Sequence, residues 1–549
     1  MRYSGTGAKN EETDHSLTMR KIFLIFLSII MNCATSAQST FMEIFRGTGT
    51  VQADLGEMTN ANVLAGMSRG RGFSLFNPQG EIIRTQVYVL DTFLAMQSVQ
   101  RYSDNEFYFV GGYHKDTCTA AGLGVITKIY PVIGKMDSLG NISQTHHYAL
   151  DPAFCTNMAG DLSITQGKEV IAWGSRAMFF ALKTDSLGSP LWAKRFSERG
   201  GFQFLKELPG GDLLAGINME TAGAVVARMD ADGNFLWLKS YIRPKGMVHD
   251  AVIVSDSSFV ITGFTDSLLI GGDLFPPPPQ QFHPKLFMMK LNGTGEVQWC
   301  RGYESEYNWV VSDGTRIVHA QDGNHVVLSN IRTQNSARPF LMKTDQNGDT
   351  LWTRSSGRND YSYETNSLLA YSDGSFIYNG RVWGTMPDNS YNNWAFLYKA
   401  DSLGHLPCVE EYHPVQVVDL FPTDSSFTLT SFNGAVAFPA FIEDTTYIPI
   451  EIYDECQIVT AILTSHSRAH QFHIRPNPNT GQFIMEFADP LLRESYYSVY
   501  DPLGKLLFQR PLAVGATLEE VDLSRFGKGT YVIKITDPEG IRHERVVLE

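Results

Sequence analysis

Three groups of residues have the types and spacing to do chemistry. Asp230, Asp232 and Asn234 alternate as the ligands of a calcium loop do. Such a loop also wants Gly after the third ligand and a bidentate Glu further on, and Phe235 stands where that Gly belongs. His146 and His147 are adjacent, so on a strand they point to opposite faces and cannot easily grip one metal ion. Glu304, Glu306 and Asp360 are the carboxylates to consider for glycoside cleavage, which needs two of them brought together. No His-Glu-x-x-His, Gly-x-Ser-x-Gly, phosphate-binding or dinucleotide-binding signature occurs. No catalytic residue, metal or cofactor is assigned.

Recognition is the better-supported chemistry. Aromatic and polar residues cluster in Tyr241 to His249, Tyr303 to Trp309, Arg358 to Tyr363, Gly112 to His114, the prolines from Pro276 to Pro279, and Trp383 to Tyr391. From these we take His249, Tyr303, Glu304, Tyr307, Trp309, Arg358, Tyr361 and Trp383 as candidate ligand contacts, because exposed aromatics beside carboxylates and amides suit sugars or peptides. The competing expectation is that the same aromatics plug their loops against neighbouring structure.

What must position them is a recurring hairpin: Lys or Arg, Asp or Asn two residues on, Gly three further, Trp four further. Full copies are Lys183-x-Asp185 to Gly188 and Trp192, Arg228 to Gly233 and Trp237, Lys290 to Gly295 and Trp299, and Lys343 to Gly348 and Trp352. Copies closing at Gly80, Gly140 and Gly404 lack the Trp. Asp or Asn opens such a turn by capping N–H groups two residues on. Gly closes it with φ > 0, and the Trp on the returning strand can anchor one sheet against the next. The motif superficially resembles the tryptophan-docking motif of quinoprotein propellers. Here Asp and Gly stand one residue closer and the adjacent cysteines are missing, so no quinone cofactor is expected.

A second hairpin precedes each of these, as in Val252 to Gly263 and Leu368 to Gly380, so one unit has four strands. The closing glycines recur every 45 to 62 residues. That period predicts an all-β fold, a seven-bladed β-propeller over 38–408, followed by a small C-terminal β-sandwich. Phe41 to Gly47 would close the ring, and a half-signal at Phe421 to Phe427 leaves eight blades as the alternative. The turns within each pair of strands are short, whereas the other connections carry the insertions and all fall on the opposite face.

Met19 to Gln38 reads as a signal peptide, with residues 1–18 an upstream extension and 1–37 removed. The remainder has 44 − 4 = 40 basic and 58 − 3 = 55 acidic residues, net −15, which argues against a nucleic-acid partner. The leader's apolar run is too short to span a membrane. Export favours disulfides. Cys118 is paired with Cys155 and Cys408 with Cys456, Cys300 being left as a buried thiol, although five cysteines allow other pairings. Residues 409–465 read as a disulfide-closed, strand-rich connector.

From 466 to 549 the pattern changes. Pro476-Asn477-Pro478, Gly481, Tyr500-Asp501-x-x-Gly504-Lys505, Asp522-Leu523-Ser524, Gly529-x-Tyr531 and a terminal Arg545-Val-Val follow in order. These marks closely resemble the type A C-terminal sorting domain of the type IX secretion system of Bacteroidetes. The resemblance implies a secreted cargo handled by that machinery, released or attached to surface lipopolysaccharide. The body resembles the uncharacterised propeller cargo of the same bacteria. The expected function is binding of an extracellular carbohydrate or protein through the long-loop face. The alternatives are a glycoside hydrolase or lyase with carboxylates in the central funnel, and a purely structural surface or adhesion protein.

Overall fold

The computed structural model describes residues 40–548 apart from 47–54, 59–61, 68–71, 89–92, 121–123, 151–158, 175–178, 220–221, 242–245, 266–283, 311–314, 334–335, 386–390, 441–450, 457–471, 488–489, 492–494, 502–505 and 538–539. The leader, Cys155, the Pro276–Pro279 run and Gly504 lie outside those residues, and with Cys155 the expected bridge to Cys118.

Each recurring hairpin closes as its residues require. Asp230 Oδ1 accepts the N–H groups of Asp232 (3.0 Å) and Asn234 (2.8 Å), and Oδ2 accepts the Asn234 amide (3.0 Å). Burial opposes its ionisation, yet the bonds from Asn234 and Asp232 hold the Asp230 carboxyl below its ordinary pKa. The Asp or Asn of the other six hairpins accepts from the residues two and four further on in the same way. The seven closing glycines have φ between 77° and 90°, where a side chain is strained. The position is also crowded: a Cβ on Gly404 would lie 2.6 Å from the ring of Trp352. Each Trp belongs to one sheet and its glycine to the next, so the repeat encodes its own docking. Trp192 Nε1 donates to Ala231 O (2.8 Å) and Trp237 Nε1 to Gly293 O (3.0 Å). The basic residue opening the hairpin pairs with a carboxylate at its sheet's other turn, as in Lys183–Glu169 (2.5 Å), Arg228–Asp212 (2.7 Å) and Lys343–Asp322 (2.7 Å).

The chain divides into two compact units, 1–453 and 454–549. Among the described residues of the first, seven antiparallel sheets follow one another, each a four-stranded meander with an inner strand of three to ten residues and a Trp-bearing or equivalent outer strand. The inner strands are Leu55–Glu57, Phe93–Arg101, Asp161–Ile164, Gly200–Glu207, Gly246–Ser255, Arg316–His319 and Ser362–Ala370, taken as sheets one to seven. Each touches the next, and the seventh touches the first, so the sheets close into a propeller. Phe41–Arg46 supplies the outer strand of sheet seven, pairing Phe41 with Lys399 and Phe45 with Ala395, as the sequence pattern predicts.

The central strands are buried on both faces; Leu213–Met219 and Ala337–Thr344 have no exposed residue. Apolar cores fill the seams, for example Phe204, Val226, Ile261 and Met289 between sheets four and five. A buried tyrosine at or just past the end of an outer strand latches each of four seams. Tyr88, Tyr148, Tyr241 and Tyr303 donate to the carbonyls of Gly140, Gly188, Gly295 and Gly348, the closing glycines of the following sheets, at 2.7–2.9 Å.

Within the 409–465 stretch, expected as a strand-rich connector, residues 410–440 form a strap along the propeller's outer edge. Glu410–Glu411, Gln416–Asp419, Asp424–Ser426, Ser431–Asn433 and Val436–Pro439 add an outermost strand to sheets six, five, four, three and two in turn, and Glu451–Asp454 pairs beside Phe41–Arg46 on sheet seven. Inward side chains fill successive seams: Val415 and Val417, then Leu420, then Phe427 and Leu429, then Ala435 and Ala437. The Phe421–Phe427 half-signal therefore belongs to the strap, with Phe421 exposed and Phe427 packed into a seam. Cys408 and Cys456 are both disulfide-bonded, and Cys300 is a buried free thiol whose pKa burial pushes up to about 12.

Among its described residues the second unit has a three-stranded and a four-stranded antiparallel sheet enclosing a core that includes Phe483, Met485, Tyr497, Ile533 and Val546. Its sequence marks hold the two ends of this unit together. Asn477 donates to Arg545 O (2.7 Å) and accepts from Val547 N (2.8 Å), and Asn479 N donates to Val547 O (2.9 Å). Gly481, at φ +108°, sits where a Cβ would lie 2.5 Å from Ser524 Cα. Pro476 O accepts from the Asn479 amide (3.1 Å), and Pro478 lies between these two asparagines. Gly529 opens the strand that carries Tyr531, whose hydroxyl donates to Gly527 O (2.6 Å).

Candidate functional site: the axial cavity and the long-loop face

The seven inner strands enclose a cavity of about 630 Å³ on the propeller axis. Its charged lining comprises Glu57, Asp161, Glu207 and Asp250 against Arg101, Lys206 and Arg316, with His249 alongside. Most of these groups are spent on ring closure. Arg101 donates to Glu57 O (3.3 Å), linking sheets two and one. Lys168 donates to Tyr102 O (2.6 Å), linking three and two. Gln166 N donates to Glu207 (2.5 Å) and Ser163 to Leu205 O (2.8 Å), linking three and four. Asp250 takes Lys206 Nζ (2.6 Å) from sheet four and Ile317 N (3.0 Å) from sheet six. Gln321 donates to Ser372 O (2.7 Å), and Ser372 N donates to Glu57 (3.0 Å), which completes the circle through sheets six, seven and one. The fourth carboxylate, Asp161, caps Leu162 N (2.7 Å).

The sequence-derived contacts separate into two sets. His249 lines the cavity and is 2 % exposed. Tyr303 and Tyr361 are buried, and Trp309 donates to Tyr303 O (2.9 Å) while packing edge-on to Phe340. Arg358 is clamped by Asp360 (2.8 and 2.6 Å) with its guanidinium 4.9 Å from the Tyr361 ring. Burial opposes its charge, but Asp360 raises its pKa above the ordinary value. Glu304 pairs with Lys285 (2.5 Å), Tyr307 stands edge-on to His413, and Trp383 lies under Arg381; these three are partly exposed. Gly112, Tyr113 and His114, read as a loop, lie within the strand Glu106–Ala120, with Tyr113 stacked on His147. His146 and His147 occupy opposite sides of their strand, His147 buried and His146 against Gly188.

The cavity residues Gln100, Gln203, Lys206, Asp250 and Arg316 were missed by sequence reasoning. A signal existed: each lies on the first strand of its unit. Polar residues in strands expected to be apolar mark the face turned to the axis.

Fold and tail together define a class: a propeller that travels outside the cell on a C-terminal sorting unit. Residues 473–549 match the secretion system C-terminal sorting domain (Por_Secre_tail). The protein is accordingly a type IX secretion cargo, delivered to the outer cell surface or released. Among the described residues no helix is long and apolar enough to cross a membrane. No curated protein matches the chain. Similar solved structures include a streptogramin B lyase (13% identity, 66% of this chain and 99% of that one, TM-score 0.39). Others are the polysaccharide lyase Uly1 (10%, 64% and 89%, 0.37) and the PQQ-bound aldose sugar dehydrogenase of Streptomyces coelicolor (11%, 66% and 99%, 0.31).

Proposed function

We propose that the propeller is an extracellular recognition module for carbohydrate or protein, carried out of the cell by its tail. One observation supports binding over turnover above all others. Three of the four carboxylates on the axis accept hydrogen bonds from neighbouring sheets, so the groups a hydrolase or lyase would need there already serve the ring. Connections between the second and third strands, and from each sheet to the next, all emerge on one face, as the meander requires. Loops on so rigid a scaffold suit recognition. In this reading Glu304, Tyr307 and Trp383 offer partly open polar and aromatic surface, while Tyr303, Trp309, Tyr361 and the Arg358–Asp360 clamp hold the loops beneath them. The test is a glycan array and an outer-surface protein pull-down with the purified secreted chain, run beside a glycosidase and lyase panel. Saturable binding without turnover is the expected result; steady turnover of any polysaccharide overturns the reading.

A further inference from the structure

We infer that the axial cavity is itself a ligand site, and that its ligand is neutral and rich in hydroxyl groups, the uncharged end of an oligosaccharide being the fitting class. The inference deepens the recognition reading and rests on it. The volume of about 630 Å³ falls within the range of roughly 300–1,000 Å³ typical of small-ligand sites. Charge argues against an anionic occupant. Four acids face three bases and one histidine, and the bases are occupied: Arg101 by Asp104 (2.6 Å), Lys206 by Asp250 (2.6 Å), and Arg316 by the Thr315 carbonyl (3.2 Å). A carboxylated ligand therefore finds no surplus base, and the excess of one acid is what the chitosan control probes.

Hydrogen-bonding capacity of another kind is left over. Gln100 on sheet two and Gln203 on sheet four line the cavity half-buried, and among the described residues their carboxamides make no hydrogen bond. Glu57 and Glu207 are each bonded through Oε2, which leaves Oε1 as an acceptor. Amides that both donate and accept, beside carboxylate acceptors, complement adjacent sugar hydroxyls, which do both as well. Ile164, Ile253, Val318 and Leu369, all partly exposed, supply apolar surface for the C–H face of a sugar ring.

The test is calorimetric titration of the secreted full chain with maltotriose, cellotriose and mannotriose, and with trigalacturonate and chitosan trimer as charged controls. Gln100→Leu and Gln203→Leu remove an amide at nearly constant volume and break no internal bond, so an unchanged melting temperature is expected. Gln203→Glu keeps the shape and adds charge, which separates chemistry from packing. At least one neutral trisaccharide should bind, and each of the three substitutions should weaken it by roughly tenfold. Tyr412→Ala, an exposed strap residue away from the axis, should leave that affinity within about twofold. Affinity unmoved by the glutamine substitutions overturns the cavity assignment and leaves the recognition reading standing. Preference for trigalacturonate or chitosan trimer overturns the neutral ligand class. Silence with every saccharide overturns the inference and leaves a protein as the partner for the wider reading.

Discussion

Replacing Tyr303 with Phe distinguishes a ligand contact from a seam latch. Tyr303 is fully buried, and its hydroxyl donates to Gly348 O across the seam at 2.8 Å; burial pushes its pKa well above the usual phenol value. Phe keeps the ring and deletes the donor, leaving a buried carbonyl short of its partner. That costs about 1–2 kcal/mol. At an unfolding entropy of about 2.1 cal/mol/K per residue over roughly 400 residues, each kcal/mol moves the melting temperature by only about 1 °C, so the single variant should melt about 1–2 °C low. Tyr88, Tyr148 and Tyr241 make the same bond at separate seams, so changing all four to Phe should add to about 4–8 kcal/mol and about 5–10 °C. Differential scanning calorimetry of the secreted chain measures both, with ligand affinity followed in parallel. A Tyr303→Phe protein that melts like the parent, or that loses ligand while keeping its stability, refutes the latch.

Gly404→Ala should cost about 2–3 kcal/mol, since φ is +79° and the new Cβ falls 2.6 Å from Trp352; a shifted tryptophan emission would report the displaced ring, and unchanged emission and stability would count against docking. Burial, then the charge of His319, holds His325 at a pKa of about 4, against about 6.5 unfolded. The unfolded chain therefore takes this proton first. Stability from this group is complete above pH 6.5 and falls as pH drops toward 4, by about 3 kcal/mol at most, and urea midpoints across that window should flatten in His325→Leu. Phe427→Ala with Leu429→Ala removes two strap side chains from the seam between sheets three and four; each should cost about 1–2 kcal/mol and speed amide exchange across 424–433, where unchanged exchange would show the strap held by its backbone alone. A chain ending at residue 472 should fail to reach the medium or outer surface on immunoblotting, and its normal export would remove the role given to 473–549.

The hairpins were legible because everything that shapes them lies within a dozen residues. An Asx side chain, a glycine with φ > 0 and a Trp four residues on carry their geometry wherever the chain goes. The repeat then implied sheets packed side by side, and the Pro-Asn-Pro and Gly-x-Tyr marks implied the tail. The recognition residues were read less well. Tyr303 and Trp309 look like loop aromatics in the chain, and only their neighbours reveal one as a latch and the other as its support. Gln100 and Gln203 look like ordinary strand residues until seven inner strands converge on one axis.

The strap shows where reading along the chain stops. Its strands are two to four residues long, and nothing in Val436–Pro439 names His146–Ala149 as its partner. Local chemistry determined the turns, the strands and the export tail. Tertiary structure alone decided which edge the strap covers, which aromatics are buried and which polar groups meet at the axis. The physical reason is that strand edges are chemically interchangeable: any row of N–H and C=O groups can pair with any other, so ring closure and side-chain fit at each seam select the partner.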